Sequence, residues 1–285
     1  MSAIDDSTPA SDLQLSDCLL PDWQVALSVR AVVTTRNGGV SAAPFGRWRT
    51  AEAAPGGLNL GFHTGDDAHA VELNRRRLST LTGATPAWLT QVHGCGVVQA
   101  EQAILALQQG APALSADASV TDRPGVACVV MVADCMPVLL ADAQGRAVGA
   151  AHAGWRGLLD GVIEASATRL AALAGVNPDL RAFLGPTIGA QTFEVGAEVR
   201  AAFLAAASHA EREATDHAFV PCNVKPGKYL ADLLALAHLR LARVGIVGAA
   251  GGHWCTVSDP ERFYSYRRDG KTGRFAGLIW IDPTA

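Results

Sequence analysis

The sequence predicts a single domain in which strands and helices form a mixed α+β (or α/β) sandwich rather than an all-β one. Three observations lead there. Strand-like runs of β-branched and apolar residues alternate with helix-like stretches along the chain, the pattern of layered mixed folds. Neither a repeat of fixed period nor a long linker interrupts the 285 residues. Apolar residues make up 49% of the chain, enough for a proper core without disulfide or metal staples.

In chain order, residues 1–22 are polar and acidic (Asp5, Asp6, Asp12, Asp17) and are expected to be a loose tail ahead of one domain over residues 23–285. Val25 to Thr34 is β-branched and apolar, a strand, and Asn37-Gly38-Gly39 is a turn signal. Residues 42–57, rich in Ala, Gly and Pro, suit a surface loop. "GLNLGFHTGDD" is turn-rich, and Asp66 or Asp67 caps a helix over "AHAVELNRRRLSTLTG" that Gly83 closes. "AWLTQVHG" is a strand ending at His93; residues 126–132, 136–141 and 147–151 are further strands. Leu158 to Ala174 is a helix by its apolar spacing, closed by Gly175. Residues 181–184 form a short strand, 197–207 and 230–244 are helical, and "GIVGAA" and "GLIWI" are late strands.

Charge and cysteine usage exclude several function classes. The net charge of −4, from 27 acids and 23 bases, is too mild for a nucleic-acid or acidic-membrane partner. Only Lys225, Lys228 and Lys271 are lysines; the other bases are arginines, whose planar fork suits phosphate and carboxylate. The first 29 residues contain no Lys or Arg and lack a secretory signal, and no apolar run is long enough for a bilayer. The expectation is a cytoplasmic protein with six reduced cysteines, which then serve as core filler, metal ligand or nucleophile.

Three segments share one format: an apolar run ending in a ligand-type side chain beside Gly or Pro. "LTQVHG" ends in His93, "VVMVADCMP" carries Cys135, and "AVGAAHAGW" carries His152. If the three runs are neighbouring strands, their ends converge, and two imidazoles and a thiolate make three legs of a tetrahedral zinc site with the fourth position open. Singly, a Cys between strands is ordinarily a small core residue and a His after a strand an ordinary turn residue. Two other readings use the same trio: a Cys–His nucleophile pair of a metal-free cysteine hydrolase, and a copper site with Met136 as axial sulfur. Strand geometry disfavours the latter, because Met136 adjoins Cys135 and successive side chains point to opposite faces.

"QVHG", "ADCMPVLL", "AHAGWRG", "LGPTIGAQTFEVG" and "CTVSDPERFYSYRRDGKTGR", in that order, resemble the bacterial laccase-domain family, long labelled multicopper polyphenol oxidases and now regarded as zinc-dependent purine nucleoside phosphorylases. The resemblance runs from about Val32 to Ile281. It implies a layered mixed β-sheet sandwich flanked by helices, of αββα type. It implies phosphorolysis of adenosine, inosine and methylthioadenosine, with deamination of adenosine to inosine. Zinc rather than copper is then the cofactor, held by His93, Cys135 and His152, and the partners are purine nucleosides and phosphate, in a monomer or small homo-oligomer.

Phosphate wants Arg forks and turn amides. The resemblance directs attention to Arg36 in "TTRNGGVS" and to Arg267 or Arg268 in "SYRRDGKTGR". Asp134 or His63 would move protons, Asp134 alternatively orienting a ligand His. Asn59 would hold ribose or base, and Phe263, Tyr264 or Tyr266 would stack the purine. Two segments depart from the family pattern. Residues 42–57 are longer and richer in Ala, and "ADASVT" replaces a Gly-Asp-Ala run while keeping Asp117.

Overall fold

A computed structural model describes residues 13–49 and 52–285. The first twelve residues of the expected tail lie outside the described residues. The rest of that segment is not loose: Leu13 is buried, and β1 (Cys18–Leu19) pairs with β2 (Val29–Thr34). Val25 to Ser28 stay out of the strand because Val29 N–H closes a turn onto the Ala26 carbonyl at 2.9 Å.

Asn37-Gly38-Gly39, expected as a turn, begins β3 (Asn37–Ser41). The reason is close backbone approach: a Cβ on Gly39 would lie 2.2 Å from the Gly57 carbonyl oxygen. The expected loop at 42–57 carries a small hairpin, β4 (Arg47–Arg49) and β5 (Glu52–Ala54). Helix α1 (Ala68–Thr82) is capped as expected: Asp67 accepts from His69 N–H, and Gly83 is left-handed.

β6 (Thr85–Ala87), β7 (Val97–Gln99), α2 (Ala100–Gln108) and β8 (Ala118–Thr121) follow. The strand expected up to His93 stops at Ala87. Beyond it, the Gln91 side chain takes the place of a backbone partner. Its amide donates to the Met131 carbonyl and accepts from Met131 N–H, both at 2.8 Å.

β9 (Val126–Val132), β10 (Met136–Asp142) and β11 (Val148–Ala153) match the apolar runs. The single helix expected over 158–174 is two, α3 (Trp155–Asp160) and α4 (Val162–Ala174), broken where Gly161 takes φ 88°. β12 (Leu180–Leu184), β13 (Glu194–Gly196), α5 (Ala197–Ala206), α6 (Arg212–His217), β14 (Phe219–Pro221) and β15 (Lys228–Ala231) come next. α7 (Leu233–Arg243) starts later than expected because Asp232 caps it, accepting from Ala235 N–H. Of "GIVGAA" only Ala250 is in a strand, β16 (Ala250–Gly251); α8 (Tyr266–Asp269) and β17 (Phe275–Ile281) complete the chain.

Two sheets stack at the centre. One has the order β1-β2-β17-β9-β6, the other β16-β12-β10-β11-β8-β7. Alternation along β9 shows why they stack: Val130 faces inward to Leu139, Val148 and Phe183 of the second sheet, while Val129 and Met131 face outward to Leu78 of α1. On the far side, Val138, Leu140 and Ala151 pack against Ile163 and Leu170 of α4 and Leu236 and Leu241 of α7. The layers are therefore helix, sheet, sheet, helix, in one domain. Among the described residues no helix is long and apolar enough to cross a membrane.

Candidate metal centre and its cavity

β9 ends at Val132 in one sheet and β10 begins at Met136 in the other. The link between the sheets is only Ala133-Asp134-Cys135, which puts Cys135 at the edge of the inter-sheet layer. β11 runs antiparallel to β10 with His152 opposite Pro137. Val148 and Ala150 face the inter-sheet core and Ala151 and Ala153 face the helices. His152 therefore shares the face of Val148 and Ala150, towards Cys135.

His93 arrives by another route than a strand end. It sits in the irregular segment after β6 with φ 64°, a conformation costing a non-Gly residue roughly 1–2 kcal/mol. Asp117, immediately before β8, holds it there. Its carboxylate accepts from the backbone N–H groups of Val92 (3.2 Å), His93 (2.9 Å) and Gly94 (2.7 Å). The same carboxylate lies 2.8 Å from His152 Nδ1. That bond puts the ring proton on Nδ1 and leaves Nε2 free to ligate. The orienting carboxylate considered for Asp134 is thus Asp117.

The donor atoms of His93, Cys135 and His152 lie within 4.8 Å of one another, and the imidazole rings meet edge to face, centroids 4.8 Å apart. Burial opposes charge on the Cys135 sulfur, but the His152 and His93 imidazoles outweigh it and bring the thiol down to about 6. Burial likewise opposes a charged His152, but the Cys135 thiolate and Asp117 raise it to about 9. Asp117 stays below the usual carboxylate range: burial pushes it up, and the His152 and Gly94 hydrogen bonds override that.

The chemistry of the set fits a metal: two imidazole nitrogens and a thiolate are the donors zinc takes at sites that keep a position open. Gly154 is shaped to the same end. A Cβ there would lie 2.8 Å from Cys135 Sγ and 3.4 Å from His93 Cδ2, filling the cradle between donors. Met136 turns into the core beneath the helices, among Val138 and Leu140, and cannot be an axial ligand.

Asp134, expected in proton transfer, has a different task. At φ 101° it makes the turn between the sheets. Its carboxylate accepts from Thr256 Oγ1 and from Arg267 N–H, both at 2.6 Å. Its carbonyl accepts from Thr187 Oγ1 (2.8 Å) and Ile188 N–H (2.9 Å). These four bonds hold the turn that aims Cys135, and they leave neither carboxylate oxygen unengaged.

The trio opens on a cavity of about 820 Å³, ample for a nucleoside-sized ligand. His63, Arg267 and Tyr266 line it. Arg36, Asn59, Arg268, Phe263 and Tyr264 do not. Arg36 is buried elsewhere, donating to the carbonyls of Gly46 (2.7 and 3.0 Å) and Pro260 (3.1 Å) beneath Tyr264. Asn59 is fully buried, accepting from Gly61 N–H and Arg274 N–H. Arg268 is engaged with Asp269 and three carbonyls. Tyr264 donates to the Phe45 carbonyl. Lining residues that sequence reasoning passed over include Arg75, Trp88, Phe62 and Arg274.

The burial of Arg36 makes a separate expectation. Arg36→Met leaves two buried carbonyls without donors, each at about 1–3 kcal/mol. Thermal denaturation should show the midpoint lowered by roughly 5–10 °C. An unchanged midpoint would contradict this and return Arg36 to its expected role at phosphate.

The sequence matches the family model described as multi-copper polyphenol oxidoreductase laccase over residues 30–282. The chain belongs to that family. It is 50% identical over 264 residues, covering 92% of this chain and 98% of the relative, to a protein of Pseudomonas aeruginosa named purine nucleoside phosphorylase. It is 42% identical over 272 residues to purine nucleoside phosphorylase YfiH of Escherichia coli, with 94% of this chain and all of the relative covered. The crystal structure of a Neisseria meningitidis protein superimposes with a TM-score of 0.81 at 44% identity, covering 93% of this chain and 99% of that one. The family's copper label meets, among the described residues, a single group of three potential ligands, His93, Cys135 and His152.

Proposed function

We propose that the protein is a zinc-dependent purine nucleoside phosphorylase acting on adenosine, inosine and methylthioadenosine, and that the same centre deaminates adenosine. The observation that carries this reading is the His93–Cys135–His152 donor set opening on a nucleoside-sized cavity with aromatic and cationic walls. The names of the relatives give the direction of the chemistry.

In phosphorolysis a phosphate oxygen bonds to the anomeric carbon while the bond from that carbon to the purine nitrogen breaks. The bonding pair leaves with the base, and the proton that phosphate gives up ends on the base. In deamination a water oxygen adds at C6 and ammonia leaves. Zinc held by the three side chains would supply Lewis-acid chemistry at the polar edge of the substrate.

The chain's own residues bind, orient and move protons. Phe62, Trp88, Phe193 and Tyr266 provide ring surfaces for the purine and exclude water around an oxocarbenium-like transition state. Asp117 keeps His152 in one tautomer. Burial, together with the nearby Arg274 and Arg75 charges, holds His63 below its ordinary pKa. His63 is therefore neutral at physiological pH and able to accept a proton. With both Asp134 oxygens engaged, proton transfer falls to His63.

A metal-free cysteine hydrolase remains the one rival with an observation behind it, the lowered Cys135 thiol. Incubation with adenosine separates the readings. The zinc-loaded protein should release adenine and ribose 1-phosphate only when phosphate is present, and inosine with or without it. Activity that survives metal removal but not thiol alkylation would favour the hydrolase. Oxidation of phenols by the copper-loaded protein, with adenosine untouched, would overturn the proposal.

A further inference from the structure

Of the arginines that sequence reasoning assigned to phosphate, Arg36 and Arg268 lie outside the cavity, while Arg267 lines it with Nη1 on the Thr192 and Glu194 carbonyls; two further arginines share that wall. We propose that Arg75 and Arg274, with His63 beside them, form the subsite that holds the phosphate co-substrate; this deepens and rests on the phosphorylase reading above.

Both guanidinium groups line the cavity. Arg75 commits only Nε, to the Leu60 carbonyl at 2.9 Å, and leaves Nη2 in contact with nothing stronger than the Met131 thioether at 3.7 Å. It lies over the Trp88 ring at 3.9 Å and the Phe62 ring at 4.5 Å. Stacking of this kind fixes the plane of the fork while its edge remains able to donate. Arg274 commits only Nη1, to the carbonyls of Thr272 (3.2 Å) and Gly273 (3.0 Å).

Among the described residues, neither arginine forms an ion pair with a carboxylate. The one carboxylate lining the cavity, Asp134, already accepts two hydrogen bonds. Arg75 and Arg274 therefore face the cavity without a directly paired carboxylate, an arrangement that a bound anion would complete. Burial lowers the pKa of both, that of Arg75 to about 10, which leaves Arg75 charged at neutral pH.

The surrounding backbone is built to hold these groups together. A Cβ on Gly61 would lie 3.0 Å from Arg274 Cγ and 3.2 Å from His63 Cε1, so glycine is what allows both to come this near. Asn59, expected to touch substrate, instead fastens the two sides. Its Oδ1 accepts from Gly61 N–H (3.1 Å) and Arg274 N–H (2.8 Å), and its Nδ2 donates to Thr64 (2.8 Å) and Asp66 (2.9 Å). Arg274 also feels the charges of Cys135 and Asp134, which puts the anion subsite next to the metal trio, where an attacking phosphate has to be. Two guanidinium forks and an imidazole suit a tetrahedral oxyanion, and among such ions the reaction calls for phosphate.

The test uses the zinc-loaded full chain and the variants Arg75→Gln, Arg274→Gln and His63→Gln. Each arginine change should raise the KM for phosphate by about tenfold or more and move the KM for nucleoside far less, with zinc content kept. Calorimetric titration of inorganic phosphate without nucleoside should show the same loss, and His63→Gln, on an exposed turn, covers the case of arginine variants that fail to fold. Unchanged phosphate affinity in these variants overturns the assignment. If phosphate binds and the variants weaken it, yet the wild type makes no ribose 1-phosphate, the subsite stands and the phosphorylase reading fails. Adenosine monophosphate is titrated in parallel: if it outcompetes inorganic phosphate and Arg75→Gln removes that preference, the pole reads the phosphate of a nucleotide and the co-substrate assignment falls.

Discussion

Cys135→Ala is expected to lower zinc affinity and turnover together. The three donors come from three separate places: the inter-sheet link, the end of β11 and the segment that Asp117 holds. Two imidazoles cannot replace the lost sulfur, because the position facing the cavity has to stay open for substrate. Zinc affinity should fall by on the order of 10³-fold, read by competition with a chelating dye, and phosphorolysis should fall with it.

The same substitution has a signature in metal-free protein. The Cys135 thiol, depressed to about 6, adds stability that is present at alkaline pH and is lost as pH falls through 6. His152, raised to about 9, adds stability that is present at acid pH and is lost as pH rises through 9. Between these two values the two slopes oppose each other, so the thiolate–imidazolium pair stabilises the metal-free fold by a nearly constant amount, and the alanine variant should lie below the wild type throughout that window. A variant that keeps zinc and turnover would remove Cys135 from the centre.

Asp117→Asn is the second large effect, although Asp117 never touches substrate. One carboxylate accepts from three backbone amides and from His152 Nδ1. Asparagine keeps one acceptor oxygen and turns the other into a donor. If the NH₂ faces the amides of Val92 to Gly94, donor meets donor, and the segment that holds His93 at φ 64° loosens. If it faces His152 Nδ1, the ring must carry its proton on Nε2, the nitrogen the metal needs. Both placements cost zinc affinity, by about 10–100-fold, with a parallel loss in kcat. Wild-type zinc affinity in this variant would show that the hydrogen bonds do not orient the ligands.

Much of the fold follows from local signals. The apolar runs of β9, β10 and β11, the Asp67 cap and the Gly83 stop all rest on neighbours in sequence, and they lie where periodicity put them. The layering needed the family resemblance, because nothing within one strand states which sheet it joins. The misses share a cause: a distant partner overrides a local preference. Residues 88–93 are apolar enough to read as a strand, but Gln91 uses its side chain to bind Met131, 40 residues away. The glycines of β3 serve an approach to Gly57 that a turn signal cannot reveal. Helix α2 went unread, and "AEQAILALQ" carries no side-chain cap to announce it.

His93, Cys135 and His152 could be singled out because each stands at or just beyond the end of an apolar run beside small residues. Asp117 was visible only as a retained acid, since its four partners come from the His93 segment and from His152. Arg75 is one of three consecutive arginines in α1, and only the fold shows that it faces Trp88 and the cavity while Arg76 pairs with Glu72. Arg36 illustrates the opposite error: an arginine beside a glycine turn has the look of an anion ligand, yet it is buried on backbone carbonyls.

Zinc-edge X-ray absorption of the purified full-length protein tests the centre most directly. The account predicts one zinc per chain with a single sulfur scatterer at about 2.3 Å and nitrogen scatterers at about 2.0–2.1 Å, the sulfur signal vanishing in Cys135→Ala. Zinc without a sulfur neighbour, or copper in its place, would contradict it.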